Sequence, residues 1–531
     1  MAAADKPLVD KTEALVQVAP VLADWLLIAP LVTGFIFGSL CLMTRKDAKN
    51  QSAIAIAGLT LNALFVILLF SQVQSRGMVV MTMGSWLPPF GITFAADFLG
   101  ATFALITGIV ALAVGIYAQN DINRTKKRYG FYPFLLLMTA GVSSAFLTGD
   151  IFNLYVWFEV LLIGSFGLLI LGSERAQLDG ATKYAFLNLI ATTLFLIAVA
   201  YLYGIFGTLN MADISRVAAS GADEGPRFTL AVLFLFAFAM KAAAVPLNFW
   251  LPASYHTPRI SVSAVFAGLL TKVGVYALFR IFMTLFPSEG AELGLVIAII
   301  AAATMVIGAI GALAQSDVRR LLGFVVISGI GYMLAGLALG SAMGISGAVF
   351  YAAHSMVLMT ALYLLIGIMG RKMNTFDLHR AGGLYTSDVG LAAVAFVLVF
   401  AASGLPPFSG LWPKVMLIKA SLDVGVWWLA ASIIISGILT TIALVRVFAF
   451  SFWRNAPTDE RDAGTLNAPS AGQPVYIATI GLTILTVIAG IFPEPFIAAS
   501  DQAAAQLLRP QVYVEAVLGQ TAVAEMVGSA R

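Results

Sequence analysis

The chain has 531 residues, 60% hydrophobic and only 11% charged, with a formal net charge of +3; its mean hydropathy is +0.94. A water-soluble chain carries about a quarter charged residues, so lipid is the expected solvent here. The small, dispersed positive charge forms no basic stripe that could track phosphates, which argues against nucleic acid as a partner.

The sequence has one cysteine, Cys41, and three histidines, His256, His354 and His379. An internal disulfide and a cysteine-ligated cluster are therefore excluded, and a bis-histidine haem is not expected. No metal and no cofactor is expected. The N-terminal stretch carries Asp5, Lys6, Asp10, Lys11 and Glu13 before any apolar run. That is not the pattern of a cleaved signal peptide, and the first membrane helix is expected to be retained.

In chain order, about fourteen apolar segments read as membrane helices. They cover 22–43, 52–73, 97–118, 131–148, 150–172, 181–206 and 228–250, then 260–286, 291–314, 318–340, 344–370, 388–420, 425–453 and 474–498. Short connections make this one all-α membrane domain. A polar Pro/Gly/Ala-rich loop follows from Asn455 to Gln473, and after Pro495 an amphipathic tail runs to about Leu508 before a polar end. Lysine and arginine concentrate in the odd-numbered loops, from Arg45, Lys46 and Lys49 through Arg124–Arg128 to Arg454 and Arg461. Even-numbered loops hold Arg76, Arg216 and Arg227. The positive-inside rule then puts the odd loops in the cytoplasm and both termini outside.

Two echoes divide the chain. Pro246-Leu-Asn-Phe-Trp-Leu-Pro252 in segment seven matches the proline spacing of Pro407-Phe-Ser-Gly-Leu-Trp-Pro413 in segment twelve. Gly180-Ala-Thr-Lys-Tyr184 at the start of segment six matches Gly347-Ala-Val-Phe-Tyr351 at the start of eleven. Each pair is five segments apart. Five is odd, so the partners run in opposite directions, as inverted repeats require. The expected organisation is 1–130 for helices 1–3, 131–286 for the first repeat (helices 4–8) and 287–454 for the second (helices 9–13). Residues 455–531 hold the polar loop, helix 14 and the tail.

An ionisable group at mid-membrane costs several kcal/mol unless paired or hydrated, so it is a functional candidate by default. Five stand out: Glu159, Lys241, Lys272, His354 and Lys414. Lys241 precedes Pro246, and Lys414 follows Pro406 and Pro407. Proline frees a carbonyl of the preceding turn, and a broken helix in lipid is tolerated only against protein or a wet cavity. Helices 7 and 12 are thus expected to be broken, each with a lysine that freed carbonyls and water can solvate. Glu159 can stabilise the charged form of a nearby lysine, and its withdrawal would release the proton. The competing reading is structural: the two lysines snorkel to an interface, Glu159 glues helices, and His354 packs as a hydrogen-bonder. Lys183, Asp97 and Asp150 sit at segment ends and read as interfacial. Several buried charges spread over both halves favour a proton path.

These residues carry a resemblance. Gly149-Asp-Ile-Phe-Asn-Leu-Tyr-Val-Trp-Phe-Glu159, Met240-Lys-Ala-Ala-Ala-Val-Pro246, Ala314-Gln-Ser-Asp-Val-Arg-Arg-Leu-Leu322 with Ser328 to Tyr332, and Gly404-Leu-Pro-Pro-Phe-Ser-Gly410 with Lys414 are the carrying motifs. The chain resembles the antiporter-like proton-translocating subunits shared by respiratory complex I, membrane-bound hydrogenases and Mrp-type sodium/proton antiporters. Its length and the tail Tyr513-Val-Glu-Ala-Val-Leu-Gly519 look most like the D-type members of Mrp antiporters. The resemblance implies a proton path through Glu159, Lys241, Lys272 and Lys414. It also implies a bacterial plasma-membrane location and partners in the large A-type component and the small membrane subunits of the Mrp complex. The expected activity is exchange of protons for sodium, with no enzymatic chemistry unless the chain serves complex I. One departure is visible: relatives carry a lysine a turn after the histidine, whereas here Met359 or Thr360 takes that place, leaving His354 to bridge the halves. The rivals are a component of complex I or a hydrogenase, and a self-sufficient solute transporter.

Overall fold

The computed structural model describes residues 20–87, 90–221, 225–455 and 472–519. The charged N-terminal stretch, Arg461 with most of its polar loop, and the polar end after Gly519 lie outside the described residues. Backbone N–H and C=O groups find no partners in hydrocarbon, so apolar runs bond internally as helices. The first six are α1 (Ala29–Met43), α2 (Ala48–Arg76), α3 (Phe98–Asp121), α4 (Phe131–Leu147), α5 (Ile151–Leu169) and α6 (Arg175–Phe206). Helix α7 starts as Arg227–Ala242 and resumes briefly as Trp250–Ser254. Then come α8 (Ile260–Leu285), α9 (Gly294–Leu313), α10 (Val318–Leu339) and α11 (Ala342–Met373). Helix α12 is split into Val389–Ser403 and Leu411–Asp423. The chain finishes with α13 (Trp427–Trp453) and α14 (Gln473–Ile491), then α15 (Glu494–Leu507) and α16 (Pro510–Leu518).

Among the described residues, ten helices are long and apolar enough to cross a membrane alone: α2, α3, α5, α6, α8 to α11, α13 and α14. The remaining expected segments hold the shorter or interrupted helices α1, α4, α7 and α12. Length and composition therefore support ten spans, where the sequence pattern suggested about fourteen. The breaks in α7 and α12 fall where the prolines placed them. Both contain a cis bond, Val245-Pro246 and Pro406-Pro407.

The all-α expectation misses one small element. Strand β1 (Val79–Thr82) pairs antiparallel with β2 (Thr93–Ala96), in register Val79↔Ala96 to Thr82↔Thr93. Thr93 O also accepts from Gly149 N (2.8 Å). The hairpin thus ties α2 and α3 to the start of α5.

The residues of the two sequence echoes occupy comparable places in the structure. Asp150 caps α5 by accepting from Asn153 N, and pairs in a bridge with Asn210 after α6. Asp317 caps α10 by accepting from Arg319 N and Arg320 N, and bridges Asp377 after α11. A carboxylate at a helix start satisfies orphan N–H groups, so these two motif aspartates are structural. Tyr184 of α6 hydrogen-bonds Ser165 of α5 (2.8 Å), while Tyr351 of α11 stacks on Tyr332 of α10 with 4.7 Å between ring centres. Gly180 lies against Ala253 and Thr257 at the end of broken α7, and Gly347 against Met416 and Leu417 of broken α12. The echoing residues therefore seat the second half of each broken helix.

Helix packing in lipid depends on small residues that admit close backbones. A Cβ on Gly336 of α10 would collide with Gly344 O and the Ala348 side chain, both on the α11 side of the crossing. Gly336→Val is expected to cost about 1–3 kcal/mol by overpacking. Gly481→Ala, with nothing within 4 Å of the new Cβ, is expected to be neutral. Monodisperse protein remaining after a heating series, read by size-exclusion chromatography, distinguishes the two.

Candidate functional site

Lys241 ends the first half of α7 and is 6% exposed. Its ammonium donates to Thr192 Oγ1 (2.9 Å) and lies over the Phe158 ring at 5.4 Å. Thr192 in turn donates to Asn188 O, and Asn188 donates to Tyr184 O, which extends a polar ladder down α6. The break beyond Lys241 is held by Val245 N donating to Thr304 Oγ1, and by Trp250 Nε1 donating to Met240 O.

Glu159 follows Phe158 on α5 and is half-buried. It forms no ion pair: among the described residues no cation lies within 4 Å of its carboxylate. Its chain neighbour Phe158 is the residue whose ring lies under the Lys241 ammonium.

Lys272 lies in α8, whose entire span is buried. A wide π turn at Phe266–Leu270 interrupts the α pattern just before it, and Lys272 Nζ donates to Ala267 O inside that turn (2.6 Å). Such turns are frequent at functional sites because they disturb the regular carbonyl ladder. Two glycines bring α8 onto both neighbours. A Cβ on Gly274 would meet Ala242 N at 2.8 Å, beside Lys241, and one on Gly268 would collide with Thr360 Oγ1 on α11. Helix α8 therefore physically connects α7 to α11.

Lys414 is 8% exposed, at the start of the second half of α12. Its ammonium donates to Ala402 O (3.1 Å) and Ser403 O (2.9 Å), carbonyls freed where the first half ends. The Tyr332 ring lies under it at 5.4 Å. Gly404 has φ +80, and a Cβ there would strike the Lys414 side chain at 2.7 Å. Glycine is thus required both for the turn and for the lysine's reach.

His354 of α11 is buried, with Nδ1 2.9 Å from Ser409 Oγ in the α12 break. His354 and Lys414 line one cavity of about 10 Å³ together with Ser328, Tyr332, Tyr351 and Met359. That is room for about one water. Tyr332 Oη continues the polar line to Ser436 Oγ (2.7 Å). At the departure noted in α11, Met359 faces this cavity, while Thr360 donates to Met356 O and sits at the α8 contact.

Neither Lys241 nor Lys414 snorkels: both ammonium groups are held inside by protein acceptors. The two halves solve the same problem similarly. In each, a lysine at the break rests on a ring from the corresponding helix of its repeat, Phe158 of α5 or Tyr332 of α10. Sequence reasoning missed Thr192, Ser409 and the Ala402 and Ser403 carbonyls, because neutral acceptors carry no signal of their own. It also missed Arg280. That residue donates to Asp97 Oδ1 at 2.6 Å and to Tyr276 Oη at 2.9 Å. Asp97, expected at an interface, is 1% exposed and ion-paired. Lys183 is exposed and pairs with Asp179, as a segment-end residue should.

A nearly all-helical bundle with ten helices long and apolar enough to cross a membrane, among the described residues, defines a multi-pass membrane protein. Residues 148–440 match the family described as NADH:quinone oxidoreductase/Mrp antiporter, transmembrane. The chain belongs to that family. It is 37% identical to the D-type subunit of the Na(+)/H(+) antiporter of Alkalihalophilus pseudofirmus, covering 93% of this chain and 99% of that one. It is 34% identical to the protein of the same description from Bacillus subtilis, over 92% and 99% of the two chains. Among solved structures, it is similar to a chain of the Mrp complex from a Dietzia species, with TM-score 0.87, 29% identity, and 94% of this chain and 100% of that one covered. Respiratory complex I from Thermus thermophilus also contains a similar chain, with TM-score 0.78, 25% identity, and 92% and 100% covered.

Proposed function

We propose that this chain is the proton-conducting D-type component of a multisubunit Mrp-type Na+/H+ antiporter, moving protons along Glu159, Lys241, Lys272, His354 and Lys414. One observation carries the reading: each of the three buried lysines is solvated by hydroxyl or carbonyl oxygens at a helix irregularity and, among the described residues, pairs with no carboxylate. A lysine locked to a carboxylate would be a structural ion pair. One held by neutral acceptors can lose its proton without leaving a buried anion behind.

Protons pass between Lys241 and Lys272 across the α7–α8 contact, then to His354 and through the one-water cavity to Lys414. Glu159 sets the charge state of Lys241. The D-type relatives and the Mrp complex favour an antiporter over a redox-driven complex, with the large A-type component and the small membrane subunits as partners. The bacterial plasma membrane is the location, and sodium the exchanged ion.

Reconstituted complexes test the path. Lys272→Ala and Lys414→Ala are expected to lower proton flux per complex by roughly tenfold or more. His354→Ala should be intermediate, because water in the cavity can still reach Lys414. Equal, near-normal flux in all three would overturn the path.

Orientation is tested separately. Cys41 is buried, so the background for thiol labelling is low. The exposed positions Arg128 and Gln502, changed to cysteine, should react in intact cells only at Gln502, with the Arg124–Arg128 loop inside and both termini outside. Labelling at Arg128 alone would reverse the topology.

A further inference from the structure

Near its N-terminal end, α2 faces the last turn of α3 across an open groove of about 1000 Å³. Six lining residues matter: Lys49, Ala53, Ile56, Ala57, Arg124 and Lys127. The first four recur at i, i+4, i+7 and i+8, so they form one stripe down α2. That stripe begins with a cation at the helix end and continues as apolar side chains into a membrane-spanning helix. Arg124 and Lys127 stand opposite Lys49, in a one-turn helix (Arg124–Arg128) that follows α3.

The charge balance at the mouth is positive. Lys49 and Arg124 are exposed, and among the described residues neither has a carboxylate within 4 Å. Lys127 lies at the buried floor of the groove, where its ammonium donates to Gln119 O (2.8 Å) and faces the Tyr132 ring at 5.9 Å. The one acidic lining residue, Asp47, is engaged with its own helix, where it accepts from Lys49 N, Asn50 N and Asn50 Nδ2. The helix N-terminus is thus already capped, and the attraction comes from the side-chain cations.

We propose that this groove binds an anionic glycerophospholipid. Its headgroup phosphate sits among Lys49, Arg124 and Lys127, and one acyl chain lies along Ala53, Ile56 and Ala57. A soluble anion would use the cations but not the apolar stripe. A zwitterionic lipid would use the stripe but would bring a second positive charge to a cationic mouth. Basic pockets between membrane helices select anionic headgroups on these grounds, each nearby cation strengthening the attraction severalfold.

The test uses the purified complex in neutral detergent, stripped of lipid and titrated with phosphatidylglycerol or phosphatidylcholine, with retained lipid counted by native mass spectrometry. Phosphatidylglycerol should be retained severalfold better than phosphatidylcholine. Lys49→Gln with Arg124→Gln should lower phosphatidylglycerol retention on the order of tenfold and erase the preference. Ala53→Phe with Ala57→Phe fills the stripe without changing charge, and should lower retention of both lipids. Both pairs lie on exposed surfaces, and an unchanged melting profile checks their folding. Equal retention in the wild type and both variants would overturn the proposal. So would displacement of the lipid by millimolar inorganic phosphate with no effect of the phenylalanines, which would mark a site for soluble anions. A photocrosslinker at position 56 that captures a protein instead of lipid in native membranes would overturn it as well.

Discussion

With Lys241 replaced by alanine, proton movement per assembled complex is expected to fall to background. The ammonium is the group that gains and loses charge at the first break, and alanine can do neither. Its surroundings make substitution by a neighbour unworkable. Thr192 already gives its proton to Asn188 O, and the remaining face is the Phe158 ring. Glu159→Ala should have the same effect for a different reason. Without that carboxylate only the Thr192 hydroxyl and the Phe158 ring remain to stabilise a charged Lys241, and proton uptake at the first break is expected to fail. Neither change should dismantle the fold. An interhelical hydrogen bond in a membrane is worth roughly 0.6 kcal/mol, up to about 2, and Glu159 makes no ion pair to lose. If these groups only glued helices, assembly and flux would fall in proportion.

The second large effect falls on stability rather than transport. Asp97→Ala is expected to deplete folded protein severely. Asp97 caps α3 by accepting from Gly100 N, and it holds Arg280, with both side chains 2% exposed. Arg280 also lies over the rings of Tyr276 and Tyr513, at 5.1 and 5.3 Å. The pair therefore fastens α3, α8 and the C-terminal α16 at one end of the bundle. Removing one partner leaves a buried charge uncompensated, which costs about 3–5 kcal/mol. Asp97→Asn with Arg280→Met removes both charges while keeping a capping oxygen and an unbranched side chain, and should recover most of the loss. Folded yield and melting temperature of the single and double variants measure this. A double variant as unstable as Asp97→Ala would mean that the contacts of the pair itself, not an uncompensated buried charge, hold this end of the bundle.

Much of this was legible in the sequence because membranes make the signals simple. Long apolar runs predict the long spans, and two proline pairs at matched spacing predict the breaks in α7 and α12, while the shorter and interrupted helices left the count of spans open. The five ionisable candidates were visible for the same reason, since charge is rare in apolar runs. Other features had no local signature. The hairpin strands are four residues each and lie between long helices that dominate any periodicity. Thr192 and Ser409 are ordinary hydroxyl residues until a lysine or histidine folds against them. Arg280 and Asp97 are 183 residues apart; Asp97 alone reads as a segment-end charge, and nothing in the sequence joins it to Arg280 until the fold buries both. The motif aspartates Asp150 and Asp317 are helix caps, so their place in the motif reflects architecture rather than transport.

The measurement that bears most directly on the central claim is proton flux per assembled complex in everted vesicles, compared across wild type, Glu159→Asp, Glu159→Ala and Lys241→Ala. Aspartate keeps the charge but shortens its reach to Lys241, so flux should slow while expression and assembly stay normal. Both alanine variants should show background flux at normal assembly. Near-normal flux per complex in Lys241→Ala and Glu159→Ala would contradict a proton path through these residues.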